Sequence, residues 1–358
     1  MLTPDGASFA IPSGGSWIVH RYEVSDSGSS YAGMWRLEAA RRQPPYASSN
    51  ITAVLEDMIG PLRRLDDTEG GCAATIGMVH QQVKTITAYL SRGRTTSPAV
   101  RRRLMLASAQ FNQLAGWMAF DAERHATARR YFRAGLTAAH EGDHTDLVAH
   151  ILACMAYQAV YCGELDEANQ FARKAVLAAD GCHPVVRALT SSRLAYVYAA
   201  SGNVHGFRSV CEKARGQYQN AGVAAHGPEW LYWFDAEELE YQLAHSGLAL
   251  AAHANSDPRR YIAEAEVLLN GKVASPDTST PRDALFHTAS LARVHAQYGD
   301  LGSAVRIADL GLRHVDLVRS ARVFNVLRGL DKDLAISQGA RRDSQVRDLR
   351  SRLRELKT

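Results

Sequence analysis

At 358 residues, 46% of them hydrophobic, the chain is long enough to bury a substantial core. It has no uncharged apolar run of about 18 residues and no basic segment leading into an apolar one, which sets aside a membrane span, a membrane partner and a secretory signal and makes the cytoplasm the expected location. The 41 Lys and Arg stand against 37 Asp and Glu, a net +4 too small to require a polyanionic partner, and five dispersed cysteines (Cys72, Cys154, Cys162, Cys182, Cys211) with no C-x-x-C pair speak against a disulfide framework or zinc knuckle.

Residues 1–48, rich in Ser, Gly and Pro, read as a disordered arm with one alternating segment of strand character, SWIVHRYEV (Ser16–Val24). From Ser49 onward the pattern is helical. In NITAVLEDMIGPLRRL, Ile51, Val54, Leu55, Met58, Leu62 and Leu65 recur at the spacing of one helix face, with Gly60-Pro61 as a kink site. DDTEGG breaks this helix, CAATIGMVHQQVKTITAYL begins the next and SRGRTTSP closes it, so residues 49–96 form an N-terminal helix pair.

Residues 97–318 then repeat one unit of helix, short turn and helix, in Leu114–Leu136, Leu152–Val176, Arg193–Ala214 and Ser290–Leu312. Aligned on the turn at Glu123, Gly163, Gly202 and Gly299, the first two spacings are 40 and 39 residues and the last is 97. Small residues recur where two helices must approach closely: Gly116, Ala156, Ala195 and Ala292 before the turn, Ala128, Ala168 and Ala304 after it, with Phe207 as the exception. Pro228–Leu248 and Asp257–Gly271 supply a further pair, with an enlarged loop between its helices. Residues 319–358 are basic: Arg319–Thr358 holds eleven Arg and Lys against five Asp and Glu, a net +6 that leaves −2 for the rest of the chain. There QVRDLRSRLREL sets Val346, Leu349, Leu353 and Leu356 on one stripe, as expected of a capping helix; a dimerising coil and a phosphate-binding surface are the other readings.

The repeated units resemble tetratricopeptide repeats, best in YCGELDEANQFARKAV and QYGDLGSAVRIADLGL. More narrowly, the chain resembles the C-terminal sensory region of helix-turn-helix transcriptional regulators of filamentous, antibiotic-producing bacteria. RRLDDTEGG (Arg63–Gly71), LAGWMAFDAERHATARRYFRAGLTAAHEGD (Leu114–Asp143), PEWLYWFDAEELEYQ (Pro228–Gln242) and RSARVFNVLRGL (Arg319–Leu330) carry that resemblance, in the family's order. The resemblance implies an all-α fold, a tetratricopeptide-like helix-turn-helix solenoid wound as a right-handed superhelix. It also implies a non-enzymatic part in transcriptional control of secondary metabolism or differentiation. Members of that family begin with a DNA-binding helix-turn-helix unit, and residues 1–48 show no such pattern. DNA contact is therefore expected to be indirect, the alternative being a directly DNA-binding regulator truncated at its N-terminus.

One pentapeptide suggests chemistry. HEGDH (His140–His144) matches H-E-x-x-H, in which one helix presents two imidazoles to zinc and the glutamate acts as general base, and Glu164 follows at a spacing suited to a third ligand. In the repeat register, however, the helix from His125 stops at about Glu141, with Gly142 at the boundary and Asp143 as N-cap of the next. A zinc hydrolase is thus kept only as an alternative. No P-loop, G-x-G-x-x-G or G-x-S-x-G is present, and no catalytic residue, metal ligand or cofactor is assigned.

The stronger candidate is a column on the concave wall. Six residues before each turn stand Trp117, Tyr157, Tyr196, Tyr241 (taking Gly247 as its turn) and Arg293. Four residues earlier on the same face stand Gln113, Ala153, Ser192, Glu237 and Ala289. Stacked aromatics with amide, hydroxyl, carboxylate and guanidinium groups suit a peptide, a small molecule or a protein partner in the groove. A homodimer is a further expectation, and the competing reading makes the aromatics ordinary core.

Overall fold

The computed structural model describes residues 7–9, 19–21, 46–91, 93–222, 227–253, 257–274, 281–313 and 315–356. Two three-residue strands, Ala7–Phe9 and Val19–Arg21, pair antiparallel, the second inside the segment of strand character. The remainder of the expected disordered arm, up to residue 45, lies outside the described residues. From Ser49 the chain is all-α, with fourteen helices among the described residues. They are α1 (Ser49–Glu69), α2 (Ala73–Ser91), α3 (Pro98–Asp121), α4 (His125–Glu141), α5 (Thr145–Tyr161), α6 (Leu165–Ala178) and α7 (Pro184–Ala200). There follow α8 (Val204–Gln219), α9 (Ala236–Ala251), α10 (Pro258–Ala274), α11 (Pro281–Gln297), α12 (Leu301–Leu312), α13 (Ala321–Ile336) and α14 (Ser344–Glu355). None is long and apolar enough to cross a membrane.

Local chemistry sets most of the boundaries. Ser48, Ser97, Asn203, Asp235, Asp300 and Ser320 each accept a hydrogen bond from a backbone N–H in the first turn that follows, satisfying a donor with no partner inside the helix. Within the pairs, the turn residues Gly163, Gly202 and Gly299 have φ between 70° and 79°, where glycine has no Cβ to clash. Glu123 holds the same place at φ 61° and Asp143 the next turn at φ 60°. Asp143 is accordingly the turn residue and not an N-cap; His144 takes the cap position and makes no capping bond with its side chain. Pro61 sits inside α1, which continues past it to Glu69.

Each helix packs against its partner across the short turn: α3 on α4, α5 on α6, α7 on α8, α9 on α10 and α11 on α12. Small residues make that approach feasible. A Cβ on Gly116 would lie 2.5 Å from the Phe132 ring, and one on Gly311 would lie 2.2 Å from the Thr288 hydroxyl. Ala128, Ala156, Ala168, Ala195, Ala292 and Ala304 are fully buried. The first helices also contact one another in series, α5 with α7, α7 with α9 and α11 with α13.

Two boundaries differ from the expectation. The segment read as a helix from Pro228 becomes α-helical only at Ala236, because Asp235 caps there. Before it, Gly227–Asp235 forms a short 3-10 turn (Glu229–Leu231) and extended chain. Gly247 is buried in the middle of α9 and is no turn, so the register that placed Tyr241 was displaced.

The last elements return to the first. Arg322 and Ser320, at the start of α13, bond Asp121 at the end of α3 at 3.1 and 2.8 Å. Arg282, in the first turn of α11, donates to the Asp66 carbonyl of α1 at 2.9 Å. At the C-terminus α14 buries Val346, Leu349 and Leu353 in the core that includes α13 and α12. Three of its arginines are committed locally: Arg350 to Asp331 (2.7 Å), Arg352 to Asp309 (2.6 Å) and Arg354 to Asp331 (3.2 Å).

Candidate functional site

Because the first helix of each pair lies inside, one ring from each meets the next around the molecular axis. Trp117 of α3 lies 5.9 Å from Tyr157 of α5, Tyr157 5.2 Å from Tyr196 of α7, Tyr196 5.6 Å from His245 of α9, and His245 5.0 Å from Phe286 of α11, between ring centroids. The sixth inner helix, α13, closes the circuit with a cation. The Arg322 guanidinium stands 4.4 Å from the Phe286 ring and 5.8 Å from that of Trp117. Five rings and one guanidinium therefore form a closed collar, with spacings in the range where offset aromatic and cation–π contacts are attractive.

The collar borders a cavity of about 440 Å³. Tyr196, His245 and Phe286 line it on one side and a second cavity of about 430 Å³ on the other. The segment before α9 crosses the first cavity: Trp230 is buried and stacks on His150 at 4.7 Å, and the exposed Tyr232 hydroxyl donates to Asp67 of α1.

The electrostatics divide the cavity. Arg282 is buried among Asp66 (3.5 Å), Asp283 (3.6 Å) and Asp67 (3.8 Å). Burial pushes Asp66 up to about 7, a shift that Arg282 opposes and the neighbouring Asp121 and Asp67 reinforce. Asp67, Asp235, Glu237, Glu238 and Asp283 make the outer wall acidic. Deeper, burial lowers His150 to about 3 and His245 to about 4, so both imidazoles are neutral near pH 7. The Cys154 thiol is raised to about 11 by burial and is no ready nucleophile. Arg193 lies 4.6 Å over the Tyr157 ring, and among the described residues its guanidinium has no hydrogen-bond or ion-pair partner.

Of the residues expected from sequence, Gln113, Trp117, Tyr157, Tyr196, Glu237 and Tyr241 all line this cavity. Ser192 is buried beside it, its hydroxyl bonded to Gln242 at 2.8 Å. Arg293 is elsewhere: it lines the second cavity and pairs with Asp333 at 2.8 Å. In α9 the collar position belongs to His245, one turn beyond Tyr241, and in α11 to Phe286, two turns before Arg293. Tyr241 reaches the cavity wall and bonds Glu237 instead. Sequence reasoning missed His150, Arg193, Trp230, Arg282 and Arg322. Three of the quoted resemblance segments already held a signal, since Arg63–Gly71, Pro228–Gln242 and Arg319–Leu330 contribute Asp66, Trp230 and Arg322 to one wall.

No known family model matches the chain, and no curated protein matches it.

HEGDH is split across a turn rather than carried on one helix. His140 lies in the last turn of α4 and is exposed, while His144 precedes α5 across the left-handed Asp143, so the two imidazoles are not presented by one helix. Glu164 pairs with Arg129. Among the described residues no three His, Cys, Asp or Glu side chains are grouped to hold a metal ion.

Proposed function

We propose that the chain is a non-enzymatic ligand-sensing protein. In this reading the helix pairs form a tetratricopeptide-like right-handed solenoid, and its inner cavity takes up a small molecule. The observation that carries it is the collar: five rings from five successive inner helices, closed by Arg322, facing a cavity of about 440 Å³. A volume of that size suits a small organic ligand, and apolar walls with a few convergent polar groups are the usual make-up of such sites. The contacts that bring α11 and α13 back onto α1 and α3 favour a small molecule over an extended peptide, which needs a groove open at its ends. The neutral His150 and His245 and the protonated Cys154 thiol support a binding role for this wall over nucleophilic chemistry.

The resemblance adds the biological setting: a cytoplasmic regulator whose occupied and empty states differ in how they engage a protein partner that controls transcription of secondary metabolism or differentiation. The segments that carry the resemblance converge on the cavity, which supports sensing as their common purpose. Native mass spectrometry of the full chain with a library of small organic molecules is expected to reveal one-to-one adducts that the Tyr157→Ala/Tyr196→Ala variant loses. Adducts that survive the double substitution, or no adducts at all, overturn the cavity as the binding site.

A further inference from the structure

Resting on that reading of the cavity, we infer that its ligand is a small amphipathic monocarboxylate, with a flat unsaturated or aromatic body against the collar and its carboxylate on Arg193. The wall's unsatisfied chemistry is donor-rich at one place. Arg193 projects over Tyr157 with five N–H groups and no carboxylate among the described residues. Around it the hydroxyls of Tyr157 and Tyr196 make no hydrogen bond to the described residues, and the buried His150 and half-buried His245 each keep an unpartnered Nδ1. Arg193 is half-buried and shares the cavity wall with His150, Cys154, Tyr196 and His245.

Of the other cavity cations, Arg282 is held by three aspartates and Arg322 by Asp121, while Arg63 donates to Gln110 at 2.9 Å and lies on the side of Asp67. A half-buried guanidinium with no carboxylate partner among the described residues favours one from a ligand, and its planar fork matches a carboxylate through two parallel hydrogen bonds. A second negative charge on the ligand would meet the acidic wall formed by Asp67, Asp283, Glu237 and Glu238, which sets the limit at one. The body follows from the collar: rings 5.0 to 5.9 Å apart offer faces to a flat apolar group, and the charge they tolerate sits at its end.

The test uses three fluorescent probes with one body and three heads: anthracene carboxylate, anthracene methanol and anthracene methylamine, titrated into the full chain. The carboxylate is expected to bind at least about tenfold tighter than the alcohol, since a hydrogen bond to a charged group carries at least that factor. Arg193→Met, which keeps the stem over Tyr157, is expected to abolish the difference, weakening the carboxylate more than the alcohol. Tyr157→Ala/Tyr196→Ala should weaken all three. Equal binding of carboxylate and alcohol, tighter binding of the amine, or a preference for carboxylate that survives Arg193→Met overturns the inference and leaves the cavity as a site. If none of the probes binds, the cavity reading itself falls and this inference with it. The melting temperature of each variant separates lost binding from lost folding.

Discussion

His150 shows what burial does to one residue. Desolvation, helped by the positive charges of Arg63 and Arg193, lowers it from 6.5 to about 3, and His245 falls likewise to about 4. An unfolded chain takes up a proton at each as the pH drops through 6.5, and the folded chain does not. The unfolded state therefore binds more protons between these values, and the fold loses stability as the pH falls from about 6.5 towards 4. Asp66 acts the other way. Its carboxyl is raised from 3.8 to about 7, so the folded state holds the extra proton, and that contribution is lost as the pH rises through the same interval. At about pH 5 the His150 share amounts to about 2 kcal/mol. His150→Phe keeps a ring against Trp230 and removes the titration. Urea unfolding is expected to show the variant losing about 2 kcal/mol less than the parent chain between about pH 7 and pH 5. An unchanged loss would assign the acid sensitivity to another group.

At the scale of the element, the turns are where sequence and backbone geometry meet most directly. The alignment on Glu123, Gly163, Gly202 and Gly299 selected four residues that all adopt positive φ. That was legible because glycine is the residue that tolerates the conformation, and two helices of fixed length leave one place for it. Asp143 adopts it without glycine's freedom, and its exposed side chain makes no hydrogen bond with the described residues. Asp143→Gly is expected to raise stability by up to about 1 kcal/mol, the cost of a left-handed residue less the added entropy of the unfolded glycine. A drop in melting temperature would mean that the Asp143 carboxylate has a stabilising role at the turn. Gly227–Asp235 departs from the helix expected from Pro228 for the opposite reason. Its run of Trp, Leu, Tyr and Phe fits a helix face, but those side chains face the cavity and core from a non-helical chain, and periodicity cannot distinguish the two.

Among the described residues, buried polar contacts join the last helices to the first. Asp121 is fully buried, Ser320 likewise, and Arg322 is 3% exposed. Together they join α3 to α13 across about two hundred residues of chain, as the Arg282–Asp66 contact joins α1 to α11. Removing one partner of a buried pair leaves the other uncompensated, so Asp121→Ala is expected to cost about 3 to 5 kcal/mol. Asp121→Leu/Arg322→Leu should recover most of it, because two apolar side chains leave no buried charge. Small-angle scattering is expected to record a larger radius of gyration for Asp121→Ala alone. A variant as compact and as stable as the parent would show that apolar packing closes the molecule without the ion pair. Arg322 also touches the collar, so this closure and the cavity share a residue, which gives a ligand a direct means of altering how the last helices sit.

Helix content, helix ends and three of the five collar rings follow from information local in sequence: apolar spacing near 3.6 residues, caps, and turn glycines that count off each unit. Trp117, Tyr157 and Tyr196 lie at equal distances from their turns, and spacing alone placed them together. His245 and Phe286 do not. Their heights on the inner wall depend on how α9 and α11 are set against their neighbours, and Ser192 facing Gln242 is a relation that no count along the chain contains. Charge pairing is still less local. The sequence shows 41 cations and 37 anions, but which guanidinium is neutralised is settled by the return of α11 and α13 onto α1 and α3. That return pairs Arg282 and Arg322 and gives Arg193 no carboxylate among the described residues, because an ion pair depends on separations of a few ångströms in space and not on distance along the chain.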